Sequence, residues 1–229
     1  MTRNLFKAAL LLFVAVLALC LLRTPASAAG NICDGCAPSS VNGLPACTKD
    51  GKLHLCKNNF PDSNFWYYLG QKLNFSSQSL LAGEAFITMD ELDSFETLHC
   101  TSQRIASLQG IGFFANLTVL NCNNNNLTEL DLSYNPKLTD LNCGSNSLTY
   151  LRINGPRLKN LVCTYNKLTD LDDVFAPDLE TLDCSATEIY HFLTTFPKLT
   201  TLICKNLPIR QIDLQNFPSL TSLNCAYCK

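Results

Sequence analysis

Seven cysteines recur at a nearly constant interval through the second half of the chain. Successive members are separated by 22, 21, 20, 21, 20 and 21 residues, and they are Cys100, Cys122, Cys143, Cys163, Cys184, Cys204 and Cys225. A single globular core does not space one residue type in this way, whereas stacked structural units of about 20 residues do. The interval predicts a chain built largely from repeats.

These seven residues are called here the cysteine column. Each is the last residue of the same short apolar motif. Six copies read Leu-x-x-Leu-x-Cys, as in Leu117-x-x-Leu120-x-Cys122, and the first copy begins with Phe95. In a strand, the second Leu and the Cys point to one face because side chains alternate with period two. In three copies an asparagine stands three residues after the cysteine, at Asn125, Asn146 and Asn166. This is the leucine-rich repeat pattern.

The pattern predicts an α/β fold: a leucine-rich repeat solenoid with a parallel β-sheet on its concave face and short irregular return segments. Residues 95–229 hold about seven repeats, the last of them truncated. Proline stands two residues before the first Leu in five repeats, where it suits a bend that feeds a strand. These prolines are Pro136, Pro156, Pro177, Pro197 and Pro218.

Residues 60–94 precede the repeats and predict a small helical N-terminal cap. From Pro61, the sequence PDSNFWYYLGQKL has apolar residues on one helical face, with Asp62 or Ser63 as the capping residue. A second short helix is predicted to start at Thr88 and lead into the first repeat. A solenoid needs such a cap because its terminal repeat otherwise exposes apolar surface.

The first 28 residues have the three-part plan of a secretory signal. Arg3 and Lys7 precede an uncharged apolar run from Ala8 to Leu22, and small residues follow around Ala28. The run is too short to span a bilayer, so cleavage is expected and no transmembrane anchor should remain. Lipid attachment at Cys20 is disfavoured because Leu19 stands where a small residue is required.

The runs FPDSNFWYYLGQKL, ITMDELDSFETLHC and IASLQGIGFFANLTVLNCNNNNLTELDL resemble exported bacterial cell-surface leucine-rich repeat proteins that contain cysteines and are loosely internalin-like. The resemblance implies a secreted or cell-surface interaction protein acting in adhesion or host contact. Relatives often carry a calcium-binding loop after the helix. The corresponding stretch here, from Asn74, lacks the carboxylates for Ca²⁺, so we predict no cofactor.

Residues 29–59 form a leader rich in Gly, Pro, Ser and Cys, which predicts a loop. Its four cysteines, Cys33, Cys36, Cys47 and Cys56, favour two disulfides in an exported protein, with three pairings open. Zinc binding is the alternative, but the second pair lacks the close spacing of the first, so no metal site is predicted.

The cysteine column itself is expected to be a stack of small buried thiols. Residues that lie one per strand along one side of a sheet cannot surround a metal ion tetrahedrally. Disulfides between adjacent strands are disfavoured because parallel Cβ vectors keep the Cβ atoms too far apart. Free thiols in an exported protein are unusual and suggest an anaerobic setting.

The outward face of the strands is the predicted ligand-binding surface. Its residues are mostly polar and carry little charge, with Tyr165 and Tyr227 as the best aromatic anchors. The candidate ligand-binding residues are His99, Asn121, Asn123, Asn142, Val162, Tyr165, Asp183, Ile203, Lys205, Asn224 and Tyr227.

The histidines and acidic residues do not recur at equivalent repeat positions that would place a nucleophile beside a base or pair two carboxylates. Binding is therefore predicted, and not catalysis. The formal net charge of -2 gives no field that would attract nucleic acid. The expected partner is a protein. A glycan ligand, or a structural envelope role without a specific ligand, remains the alternative.

Overall fold

The computed structural model describes residues 37–82 and 84–229. The predicted signal peptide, with Cys20, and the leader cysteines Cys33 and Cys36 lie outside the described residues. No helix within the described ranges is long and apolar enough to cross a membrane.

The N-terminal part contains a four-stranded antiparallel sheet in the order β1-β2-β3-β4. Its strands are β1 (Ala37–Val41), β2 (Leu44–Lys49), β3 (Lys52–His54) and β4 (Phe86–Ile87). The prediction of a loop over residues 29–59 is therefore wrong for most of its described part. Two-residue turns at Asn42-Gly43 and Asp50-Gly51, all with positive φ, join β1 to β2 and β2 to β3. Asn-Gly and Asp-Gly are local hairpin signals that a prediction from overall composition does not use.

Three helices accompany this sheet, namely α1 (Ser63–Lys72), α2 (Ser77–Leu81) and α3 (Met89–Ser94). Asp62 caps α1 by accepting hydrogen bonds from the backbone N–H groups of Asn64 and Phe65, at 2.9 and 2.8 Å. Thr88 and Glu91 form a reciprocal capping box at α3. Both predicted helices are confirmed, and α2 is an additional one.

Asp62 also joins α1 to the first repeat. Its second carboxylate oxygen accepts hydrogen bonds from the backbone N–H groups of Ala106 and Ser107, at 2.7 and 3.0 Å. Phe60, fully buried, packs edge-on against Phe65 and Phe113 with ring centroids 5.9 and 5.7 Å apart. One carboxylate and one aromatic cluster thus attach the helices to the end of the solenoid.

The repeats form a seven-stranded parallel sheet in the order β14-β13-β12-β10-β8-β6-β5. Its strands are β5 (Thr97–His99), β6 (Val119–Asn121), β8 (Asp140–Asn142), β10 (Asn160–Val162), β12 (Thr181–Asp183), β13 (Thr201–Ile203) and β14 (Ser222–Asn224). The second Leu of each repeat pairs with that of the next, as Leu120 pairs with Leu141. The predicted solenoid and its concave parallel sheet are confirmed.

Each strand is entered through a tight turn. The first Leu of a repeat donates its backbone N–H to the carbonyl three residues earlier, as Leu138 does to Asn135 at 3.2 Å. Pro136 is the second residue of that turn, a position that suits its restricted φ. The proline positions therefore mark the bends, as the sequence predicts.

The return segments include short extended stretches and single helical turns. Three of them contain short strands, β7 (Glu129–Leu132), β9 (Tyr150–Asn154) and β11 (Val174–Phe175), which pair in parallel as a second sheet. Two others contain single turns of 3-10 helix, Ile111–Phe113 and Leu214–Asn216. The two sheets enclose a continuous core of Leu, Ile, Phe and Cys side chains.

Six members of the cysteine column are fully buried in this core, and Cys225 is exposed. Burial raises the pKa of Cys100 to about 12, and it raises the pKa of Cys143 well above its ordinary value because a thiolate is poorly solvated there. These thiols are neutral packing groups, and their depth makes them poor nucleophiles.

Candidate functional site

The parallel register arranges the outward side chains of the main sheet in continuous columns. The last residue of every strand points outward, since it lies between two inward residues, the second Leu and the Cys. This column consists of His99, Asn121, Asn142, Val162, Asp183, Ile203 and Asn224. All seven are candidates from the sequence, and the structure places them side by side on the concave face.

Four members of this column stabilise their own turns. The side chain of Asn142 accepts a hydrogen bond from the backbone N–H of Gly144 at 3.1 Å, and Asp183 accepts one from Ser185 at 3.0 Å. Asn121 and Asn224 make the equivalent contact at 3.3 and 3.4 Å. Asp183 accepts a further hydrogen bond from the Ser185 hydroxyl at 2.7 Å. These Asx turns hold the polar groups in fixed positions.

Asn123 and Lys205 lie one residue beyond the cysteine column. The Asn123 side-chain oxygen is buried and has no hydrogen-bond partner among the described residues. The Lys205 backbone N–H donates to the Ser185 hydroxyl at 3.1 Å, which aligns two neighbouring repeats. Asp183 and the half-buried Lys205 lie on the same face, so its few charges include both signs.

The second residue after each cysteine has a left-handed backbone. The φ angles lie between 52° and 63° at Ser102, Asn124, Ser145, Tyr165, Ala186, Asn206 and Tyr227. Asn is well suited to this conformation, whereas a bulky residue is strained in it. Tyr165 and Tyr227 occupy it with 66% and 84% of their surface exposed. Sequence reasoning selects these tyrosines as anchors but does not reveal the strain.

A further column on the same face was missed by the sequence analysis. It lies one residue before the second Leu and consists of Thr97, Val119, Asp140, Asn160, Thr181, Thr201 and Ser222. The side-chain amide of Asn160 donates to Asp140 at 2.7 Å across two strands. Period-two alternation alone could have identified these residues, because they flank the buried Leu on its other side.

A groove of about 480 Å³ lies away from the concave sheet, among return segments of the C-terminal repeats. Tyr190, Leu193, Arg210 and Asp213 are among its lining residues. The Nδ1 atom of His191, which also lines it, is buried with no hydrogen-bond partner among the described residues. The sequence shows no motif at these positions.

Comparison with known proteins finds similarity to solved structures, whereas no protein-family model and no curated protein matches the chain. The functional domain of InlJ from Listeria monocytogenes, which includes a cysteine ladder, is 27% identical with a TM-score of 0.44. The match covers 78% of this chain and 48% of that one, so this chain spans about half of the InlJ domain.

Two other internalins of Listeria monocytogenes are similar. InlF is 20% identical with a TM-score of 0.39, and the match covers 83% of this chain and 80% of that one. InlC2 is 21% identical with a TM-score of 0.48, covering 77% of this chain and 88% of that one. The structural neighbours of this chain are thus internalins.

Proposed function

We propose that this chain is an exported interaction module that binds a protein ligand through its concave face. In this proposal the surface acts in adhesion or host contact, without catalysis and without a cofactor. The observation that carries the proposal is the exposed Tyr165 at a left-handed turn position.

Tyr165 is poorly explained by folding alone. A non-glycine residue in this conformation costs about 1–2 kcal/mol, and Asn at the same position in other repeats is better suited to it. With 66% of its surface exposed, the ring gains little from packing within the chain. A large aromatic side chain that is exposed and has a strained backbone is typical of a binding anchor.

The surroundings of Tyr165 support a protein ligand. Val162 and Ile203 place half-buried apolar side chains on the same face, on either side of Asp183. Tyr227 lies three repeats further on, about 14 Å away at the usual strand spacing. A face with two aromatic groups, two half-buried apolar side chains and few charges resembles a protein interface in composition.

The test is to screen the purified chain against arrays of surface proteins and, separately, of glycans. Tyr165→Asn relieves the backbone strain, so the variant should fold at least as well as the wild type while binding its protein ligand at least about tenfold more weakly. Tyr190→Asn, on a return segment, is the matched control and should bind normally. Binding only to glycans, or unchanged binding by Tyr165→Asn, would contradict the proposal.

A further inference from the structure

Two cysteines and a histidine converge inside the N-terminal sheet, far along the chain from the cysteine column. The Sγ atoms of Cys47 and Cys56 and a ring nitrogen of His54 all lie within 4.8 Å of one another. All three residues are buried, and His54 is only 3% exposed. This cluster of Cys47, His54 and Cys56 is called here the CHC cluster.

The strand register produces this convergence. β2 and β3 are antiparallel, with Thr48 opposite Leu53. Continuing that register by one residue places Cys47 opposite His54, on the same face of the sheet. Cys56 lies two residues after His54, in a bend just beyond the end of β3, and its Sγ atom comes close to the other two ligand atoms. The three side chains thus come from two adjacent segments that the sheet holds together.

Asn59 fixes the backbone beneath the cluster. Its side-chain oxygen accepts the backbone N–H of Cys47 at 2.8 Å, and its amide donates to the carbonyls of Cys47 and His54 at 2.9 and 2.7 Å. The backbone of Cys56 adds a hydrogen bond from its N–H to the carbonyl of His54 at 3.0 Å. A buried amide that positions two ligand-bearing residues resembles the supporting contacts around metal sites.

We infer that the CHC cluster binds a zinc ion. Zinc prefers thiolate and imidazole ligands at about 2.3 and 2.0 Å, which places tetrahedral ligands about 3.5–3.8 Å apart. The observed separations, within 4.8 Å, need at most about 1.3 Å of closure for the three residues to occupy three of the four tetrahedral positions. Two thiolates also neutralise the charge of Zn²⁺, so the buried site carries no net charge when loaded.

A disulfide between Cys47 and Cys56 explains the cluster less well. It would use both sulfur atoms but gives no reason to bury an imidazole beside them. The ring of His54 stacks on Phe86 at a centroid distance of 4.6 Å, which holds it in place. For Cys47 and Cys56, the zinc site is thus our alternative to the disulfides and to the absence of metal predicted from the sequence.

The first experiment measures metal in the chain purified without chelators. We expect one zinc per chain, and Co²⁺ in its place should give tetrahedral visible bands with a thiolate-to-cobalt charge-transfer band. The cobalt spectrum needs no variant, so it remains informative if a substitution prevents folding. A chain that holds no zinc and gives no charge-transfer band with Co²⁺ overturns the inference.

The second experiment compares variants. Cys47→Ser, Cys56→Ser and His54→Phe should each weaken zinc binding at least about tenfold. Cys225→Ser removes an exposed thiol of the cysteine column and should retain the metal. Equal loss in Cys225→Ser, or peptide mapping that finds Cys47 joined to Cys56 in the protein as purified, overturns the inference.

Discussion

The side-chain amide nitrogen of Asn125 lies 2.8 Å from the carbonyl oxygen of Cys100, one repeat earlier. The same nitrogen donates to the carbonyl of Cys122 at 2.9 Å, and the amide oxygen accepts the backbone N–H of Ile105 at 3.0 Å. Asn166 repeats this arrangement with Cys143, Cys163 and Leu148. One buried side chain thereby joins two repeats where the chain leaves the strand, and it satisfies groups that would otherwise be unpaired.

Replacing Asn166 with Ala should lower the free energy of unfolding by about 2–3 kcal/mol, because it leaves buried carbonyl and N–H groups unpaired. Urea denaturation measures the change. Asn126→Ala is the matched control: the exposed Asn126 side chain makes, among the described residues, a single long contact of 3.4 Å with the Arg104 carbonyl. The control should change stability by less than about 0.5 kcal/mol. Equal losses in the two variants would refute this role for Asn166.

The C-terminal repeats should open more readily than the central ones. Thr187 occupies the position of Asn166 one repeat later, and its hydroxyl donates to the carbonyl of Cys184 in its own repeat at 2.8 Å. Leu207 follows in the next repeat and has no polar side chain. Hydrogen exchange should therefore be faster for the amides of Cys184 and Cys204 than for that of Cys143. Equal protection along the solenoid would contradict this prediction.

Asp62→Ala should lower the free energy of unfolding by about 2 kcal/mol, because it removes a helix cap and the acceptor for two backbone N–H groups of the first repeat. Thermal and urea denaturation measure the loss. Asp90→Ala is the control, since Asp90 lies in the first turn of α3 but is not its cap. An effect no larger than that of the control would show that Asp62 does not join the cap to the repeats.

Stability should fall steeply above about pH 9. Burial raises the pKa of Cys100 and Cys204 to about 12, from an ordinary value of 9.0. Between these values the unfolded chain loses thiol protons that the folded chain retains, so alkali favours unfolding. The stabilisation is complete below about pH 9 and is lost as the pH rises towards 12.

Replacing the buried Cys143 with Ala tests this pH dependence. The change should reduce the slope of stability against pH by up to about 1.4 kcal/mol per pH unit, whatever its effect on stability at neutral pH. The measurement is denaturant unfolding at several pH values between 8 and 11. Cys225→Ala removes an exposed thiol and should leave the slope unchanged. Parallel curves for wild type and Cys143→Ala would contradict the prediction.

Ala186→Gly should raise the free energy of unfolding by up to about 1 kcal/mol. Ala186 has a φ of 55°, which costs an alanine about 1–2 kcal/mol, and glycine avoids this cost while losing more entropy on folding. Ala106→Gly is the control at a residue outside the left-handed region, and it should be destabilising. Thermal denaturation compares the two. A loss of stability in Ala186→Gly would show that the turn is not strained.

Local patterns predicted most of the solenoid. The alternation of Leu120 and Cys122 determines which side chains point inward, because a strand has a period of two residues. Turn prolines such as Pro136 mark the bends, and the caps at Asp62 and Thr88 depend on residues three positions away. These interactions are short in sequence, so they are visible without a structure.

The tertiary structure alone decided the features that depend on which distant segments pair or stack. The leader is a loop by composition, yet it forms paired strands, and the distant β4 places Phe86 against the ring of His54. The return strands likewise form a sheet only because successive coils stack. The repeat interval thus determined the solenoid, whereas side-chain convergence and backbone geometry decided the CHC cluster and the strained turn at Tyr165. Contacts between distant segments leave no regular pattern in a single sequence.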